Sequence, residues 1–144
     1  MNKGKVLALD YGKKRIGVAS GDFELKIAFP REIIENREIN YVVSKLSALC
    51  EELGVGIVIV GLPLNMEDGQ KENAIMADVK IFVDTFRKVV GDKIEVLLFD
   101  ERLSSFEAKA LAMASSKPVR GKKILVDAHA AQIILQRFFD NFKA

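Results

Sequence analysis

Residues 5–20, KVLALDYGKKRIGVAS, hold two short apolar runs separated by a basic turn, and the first run ends on the acidic Asp10. The segment 5–10 is apolar and bounded by Gly4 and Gly12, the composition of a strand. Segments 15–20 and 26–34 follow after short breaks, so three consecutive strands predict an antiparallel meander. Gly12 reads as the residue that lets the chain turn sharply beyond Asp10.

Outward from this meander the period of the apolar residues changes. Ile39, Val42, Val43, Leu46, Leu49, Cys50 and Leu53 fall on one face at helical spacing, and Gly54 marks the helix end as a residue free to take positive φ. Segment 56–61 is a β-branched apolar run, typical of a strand covered on both faces. Ile75, Val79, Phe82, Phe86 and Val89 define an amphipathic helix that stops before Gly91, and 94–99 is a further buried strand. Ser104 and Glu107 have capping-box spacing, which predicts a helix from there to about 115, followed by a polar loop over 116–123. Ala131, Ile134, Leu135, Phe138 and Phe142 share one face of a final helix. The order β-β-β-α-β-α-β-α-α predicts an α/β fold with a five-stranded mixed sheet, helices on both faces, and one domain over 1–144.

Composition excludes several classes. With 49% hydrophobic and 29% charged residues the chain reads as globular, and its longest apolar stretch, 55–64, is far short of the roughly 20 residues a membrane helix needs. The N-terminus lacks a secretory cleavage pattern and the single Cys50 cannot form an intramolecular disulfide, so a cytoplasmic protein without a membrane partner is expected. A net charge of +2 does not name a nucleic-acid partner, but the cations cluster. Lys13, Lys14 and Arg15 form one group, and Lys117, Arg120, Lys122 and Lys123 another. A solvated loop is the plain alternative for either.

Acidic residues stand at element ends instead of on amphipathic polar faces. Asp10 ends the first strand, Asp100 and Glu101 end the strand 94–99, and Asp127 follows Ile124, Leu125 and Val126 at the start of the final helix. Singly, each has a structural reading: Asp10 closes a turn, Asp127 caps the helix, and Asp100 or Glu101 pairs with Arg102. Together they point elsewhere, because ligands of open α/β sheets gather outside the carboxyl ends of the strands. Converging carboxylates repel unless a cation neutralises them, and all-oxygen ligation indicates Mg²⁺ or Mn²⁺.

At these residues the sequence resembles the YqgF or RuvX family of pre-16S rRNA nucleases, which belongs to the RNase H-like superfamily together with the Holliday junction resolvase RuvC. The likeness rests on LDYGKKRIGVA at 9–19, IVGLPLNM at 59–66, DERLSSFEA at 100–108 and VDAHAAQIILQ at 126–136, and covers almost the whole chain. It implies an RNase H-like fold and a catalytic, metal-binding trio of Asp10, Glu101 and Asp127, with Asp100 in reserve. Neighbours on a regular strand point to opposite faces, so only one of Asp100 and Glu101 can serve, and Glu101 is favoured. By the same likeness a water attacks phosphorus in a two-metal hydrolysis that needs no protein general base. Lys14, Arg15, Asn65, Arg102, Arg120, Lys122 and Lys123 are candidate substrate contacts.

Two departures stand out. Segment 67–73, EDGQKEN, is irregular for the family, and His129 takes a position commonly apolar there, so it reads as a packing or surface residue. The activity implied is processing of the 5′ end of pre-16S rRNA in ribosome biogenesis, on structured RNA. Alternatives are a Holliday junction resolvase, which would act on branched DNA as a dimer, and a non-catalytic nucleic-acid binder. Monomer and homodimer both stay open. The Asp10-x-Gly12 pattern also resembles actin-like ATPases and sugar kinases, but those need a second domain for which this length leaves no room.

Overall fold

In the computed structural model, which describes residues 4–62, 69–100 and 122–141, the meander forms as β1 (Lys5–Tyr11), β2 (Arg15–Asp22) and β3 (Ile27–Glu35). It is followed by α1 (Ile39–Leu53), β4 (Val55–Leu62), α2 (Gly69–Val90), a 3-10 turn (Gly91–Lys93), β5 (Glu95–Asp100) and α3 (Lys122–Asn141). The helix expected from 104 to 115 lies outside the described residues. The five strands make one sheet in the order β3-β2-β1-β4-β5. β1, β2 and β3 pair antiparallel, whereas β4 and β5 continue the sheet parallel to β1. The mixed sheet with helices on both faces is therefore as expected.

Alternation along the strands separates two cores. Leu7, Leu9 and Tyr11 of β1 join Val58 and Val60 of β4 beneath α1 and α2, where Phe82 and Phe86 stack at 5.6 Å. Val6 and Ala8 join Ile57 and Ile59 on the opposite face, beneath Ala131, Ile134, Leu135 and Phe139 of α3. Cys50 is core, as its helical spacing implied, and burial pushes its thiol up to about 12. α1 ends as expected, with Gly54 in the left-handed region at φ 69° and its N–H donating to the carbonyls of Cys50 and Glu51.

Two boundaries differ from the sequence reading. α2 begins at Gly69, six residues before its first periodic apolar residue, because a polar first turn leaves no periodic signal. α3 begins at Lys122, so Lys122 and Lys123 lie in a helical first turn instead of a loop, and Asp127 lies beyond the capping position. The basic, glycine-flanked segment looked like loop, but Ile124, Leu125 and Val126 continue the helix it starts. Among the described residues no helix is long and apolar enough to cross a membrane.

Candidate active site

Asp10 is half-buried near the carboxyl end of β1, where the alternation of Val6 and Ala8 puts it on the α3 face of the sheet. Its cross-strand neighbours are Gly17 on β2 and Gly61 on β4. Neither has a side chain and both are buried, so no side chain of a neighbouring strand stands directly beside the carboxylate. The sequence reading missed this pair, taking Gly61 as a strand end and Gly17 as an unremarked strand residue; only the register sets both beside Asp10.

α3 brings its N-terminal half to the same end of the sheet. The Gln136 side-chain amide donates to the Lys26 carbonyl just before β3, and that of Gln132, one turn earlier, to the Ala28 carbonyl, two residues further along the chain. The helix thus runs antiparallel to β1, which β3 parallels. Phe139 packs on Gly21, the partner of Val6, and twelve residues of helix back to Asp127 rise about 18 Å. Four strand residues from Val6 to Asp10 advance roughly 13 Å, so the backbone of Asp127 stands near the level of Asp10.

The parallel register sets Asp10 opposite Gly61, and Gly61 opposite Phe99. Asp100 is one residue further, opposite Leu62, in the alternate set from Asp10. Glu101 lies outside the described residues, and no three histidine, cysteine or acidic side chains gather into a metal site among those described.

The basic turn after Asp10 is held tightly. The Gly12 N–H donates to the Arg15 carbonyl at 3.0 Å, and a Cβ on Gly12 would stand 2.6 Å from that oxygen. Glycine is therefore required for space, not for a positive φ, which is a refinement of the sequence reading. Asn36, which the sequence reading did not single out, clamps this turn: its side-chain amide donates to the Gly12 carbonyl at 2.7 Å and its backbone N–H to the Lys14 carbonyl at 2.9 Å. Lys13 and Lys14 are exposed and Arg15 is half-buried at the start of β2. Asn65, Arg102 and Arg120 lie outside the described residues. His129 is half-buried on α3, its Nδ1 buried without a hydrogen-bond partner among the described residues, which suits packing better than solvent.

A family model for RuvX, described as Holliday junction resolvase, matches residues 4–141. The chain belongs to the RuvX family. RuvX relatives include a protein of Anaeromyxobacter sp. (strain Fw109-5), 36% identical over 94% of this chain and 96% of its own length. Another, from Chloroflexus aggregans, is 38% identical over 97% of this chain and 96% of its own length. Both are named as pre-16S rRNA nucleases, and membership of RuvX makes this chain an enzyme of the nuclease class. Among solved structures, T. thermophilus RuvC in complex with a Holliday junction substrate superposes with a TM-score of 0.61 at 14% identity, over 94% of this chain and 93% of that one. Fowlpox virus resolvase, in complex with Holliday junction DNA, gives 0.57 at 10% identity over 94% and 97%. At such identities the likeness speaks for the fold, which is RNase H-like as the sequence implied.

Proposed function

We propose that this RuvX chain, as a single domain in the cytoplasm, hydrolyses phosphodiesters at the 5′ end of pre-16S rRNA, with Asp10, Glu101 and Asp127 holding Mg²⁺ or Mn²⁺. The observation that carries the proposal is the seat of Asp10. It is a half-buried carboxylate flanked by two glycines, at the carboxyl end of a parallel strand pair and under the helix that bears Asp127. Strand alternation argues for Glu101 over Asp100, since Asp100 is out of phase with Asp10. An all-carboxylate donor set fits a hard divalent cation, and the glycines beside Asp10 bring no side chain that would compete for it. When bound, such ions stabilise the charge of an in-line phosphoryl displacement and lower the pKa of water.

The protein's own contribution is to place the carboxylates and hold the substrate. Lys14 and Arg15 on the clamped turn, and Lys122 and Lys123 from the first turn of α3, are the residues proposed to attract phosphates. Two lysines at a helix N-terminus oppose the helix dipole, a cost of roughly 0.3–1 kcal/mol each that an anionic partner would offset. Asn65, Arg102 and Arg120 complete the proposed substrate contacts.

The description of the family model favours a second reading, cleavage of a Holliday junction, which requires a homodimer to cut symmetrically. One experiment separates the readings: precursor rRNA, single-stranded RNA and a four-way DNA junction incubated with wild type and Asp10→Asn, with and without Mn²⁺. Metal-dependent cutting of precursor rRNA, lost in the variant, is expected. Cutting of the junction alone would transfer the function to recombination, and binding without cleavage of any of the three would overturn the nuclease proposal.

A further inference from the structure

On the other face of β1 from Asp10 lies an open depression of about 300 Å³. Tyr11 and Phe82, with ring centroids 5.3 Å apart, make its floor, and Ile81, 59% exposed, makes an apolar wall. Lys13 and Arg37 stand at its rim with Asn36 between the loops that carry them. We infer that this depression is a subsite for one nucleotide of a single-stranded segment adjoining the scissile phosphate, with the phosphate at Lys13 and Arg37 and the base against Ile81 and the exposed edge of Tyr11. The inference rests on the nuclease reading and adds to it where the substrate strand runs.

Three features define the ligand. The volume is at the lower end for ligand pockets, enough for a base and sugar but not for a duplex. The combination of an apolar wall over aromatic rings with a cationic rim matches a group that is flat and apolar on one side and anionic on the other, as an unstacked nucleotide is. Asp78, also on the lining, would repel a phosphate and accept hydrogen bonds from a base amine or ribose hydroxyl, which fixes the nucleotide's orientation. Lys13 makes no ion pair among the described residues. Arg37 is oriented in advance, its Nε donating to Glu35 at 2.9 Å and its guanidinium 5.3 Å from the Tyr41 ring centroid. That exposed pair is weak enough for a phosphate to compete.

The subsite is tied mechanically to the active site. Tyr11 follows Asp10 directly and points to the opposite face, so a strand crossing the carboxyl edge of β1 meets both. Asn36 bonds the Gly12 carbonyl, so the rim and the turn beyond Asp10 move together.

The test measures anisotropy of a short fluorescein-labelled single-stranded RNA on the Asp10→Asn protein across a salt series, alone and with K13E/R37E, I81D, or the charge-matched K88E/K93E at exposed positions away from the depression. K13E/R37E should weaken binding about tenfold and flatten the salt slope by roughly 0.7, the share of the one phosphate that is no longer neutralised. I81D should weaken it about tenfold, by removing the apolar wall and adding an anion beside the phosphate. K88E/K93E should leave both close to the parent, and unchanged thermal melts certify folding. If K13E/R37E and K88E/K93E behave alike while the Asp10-intact protein cleaves RNA, the subsite is wrong and the nuclease stands. If the Asp10-intact protein neither binds nor cleaves, both fall together.

Discussion

The two faces of the sheet are built on different principles. Beneath α1 and α2 the strands offer only apolar side chains in the middle of the sheet, and the helices answer with Val42, Leu46, Phe82 and Phe86, all nearly inaccessible. Beneath α3 the apolar part is smaller, and the helix is fixed at one side by amides: Gln136 accepts from the Ala28 N–H at 3.1 Å and donates to Lys26, while Gln132 donates to Ala28. These bonds occupy backbone groups of the edge strand β3 that would otherwise invite another strand. The α3 face therefore holds its helix by polar bonds as well as apolar packing, and Asp10 sits half-buried between its glycines at the carboxyl end. One face is closed by apolar packing through the middle of the sheet; the other carries a partly exposed carboxylate at its end.

The sharpest way to break this contrast is Asp10→Asn on the α3 face. It should reduce cleavage at least about a thousandfold, the equivalent of roughly 4 kcal/mol of transition-state stabilisation, while a thermal melt shifts little. Phe86→Ala on the closed face should do the reverse, costing about 3–5 kcal/mol in a denaturant titration while the folded fraction keeps its specific activity. Gly21→Ala probes the seam of α3, since its Cβ would meet the Ile27 carbonyl at 2.5 Å and the Phe139 ring at 2.9 Å. A loss of about 1–3 kcal/mol in the same titration is expected. Gln136→Ala leaves the Ala28 N–H without its side-chain acceptor and should cost about 1 kcal/mol, read as faster amide exchange at Ala28. The closed face also protects its thiol. Because burial raises Cys50 from 9.0 to about 12, the neutral thiol favours the folded state below pH 9, and that contribution is lost as pH rises from about 9 toward 12. A stability curve flat across that window after Cys50→Ala, but falling in wild type, would confirm it.

Much of this was legible in the linear chain. Short apolar runs between breaks located all five strands, and helical apolar spacing located the cores of the three described helices, because a strand covered on both faces is apolar throughout and a helix buried on one face repeats with its turn. Gly54 was legible as a helix end for the same local reason. The start of α3 was not, since Lys122 and Lys123 resemble loop residues until the helix that follows is seen. Asn36 was equally hidden, as a clamp on a turn twenty-four residues earlier leaves no local pattern. Glu101, whose position in the fold lies outside the described residues, keeps only the support of motif and strand alternation.

Sequence alone determined that Asp10 closes an apolar strand and that Asp127 belongs with a helix, because both follow from the neighbours of each residue along the chain. Which residues flank Asp10 across the sheet, and that α3 runs antiparallel to β1 so that Asp127 returns to its level, depended on strand register and helix direction. Those are set by packing between segments more than a hundred residues apart, where the interlocking of Phe139 with Gly21 and of Gln136 with Ala28 selects one alignment among many that the local pattern allows.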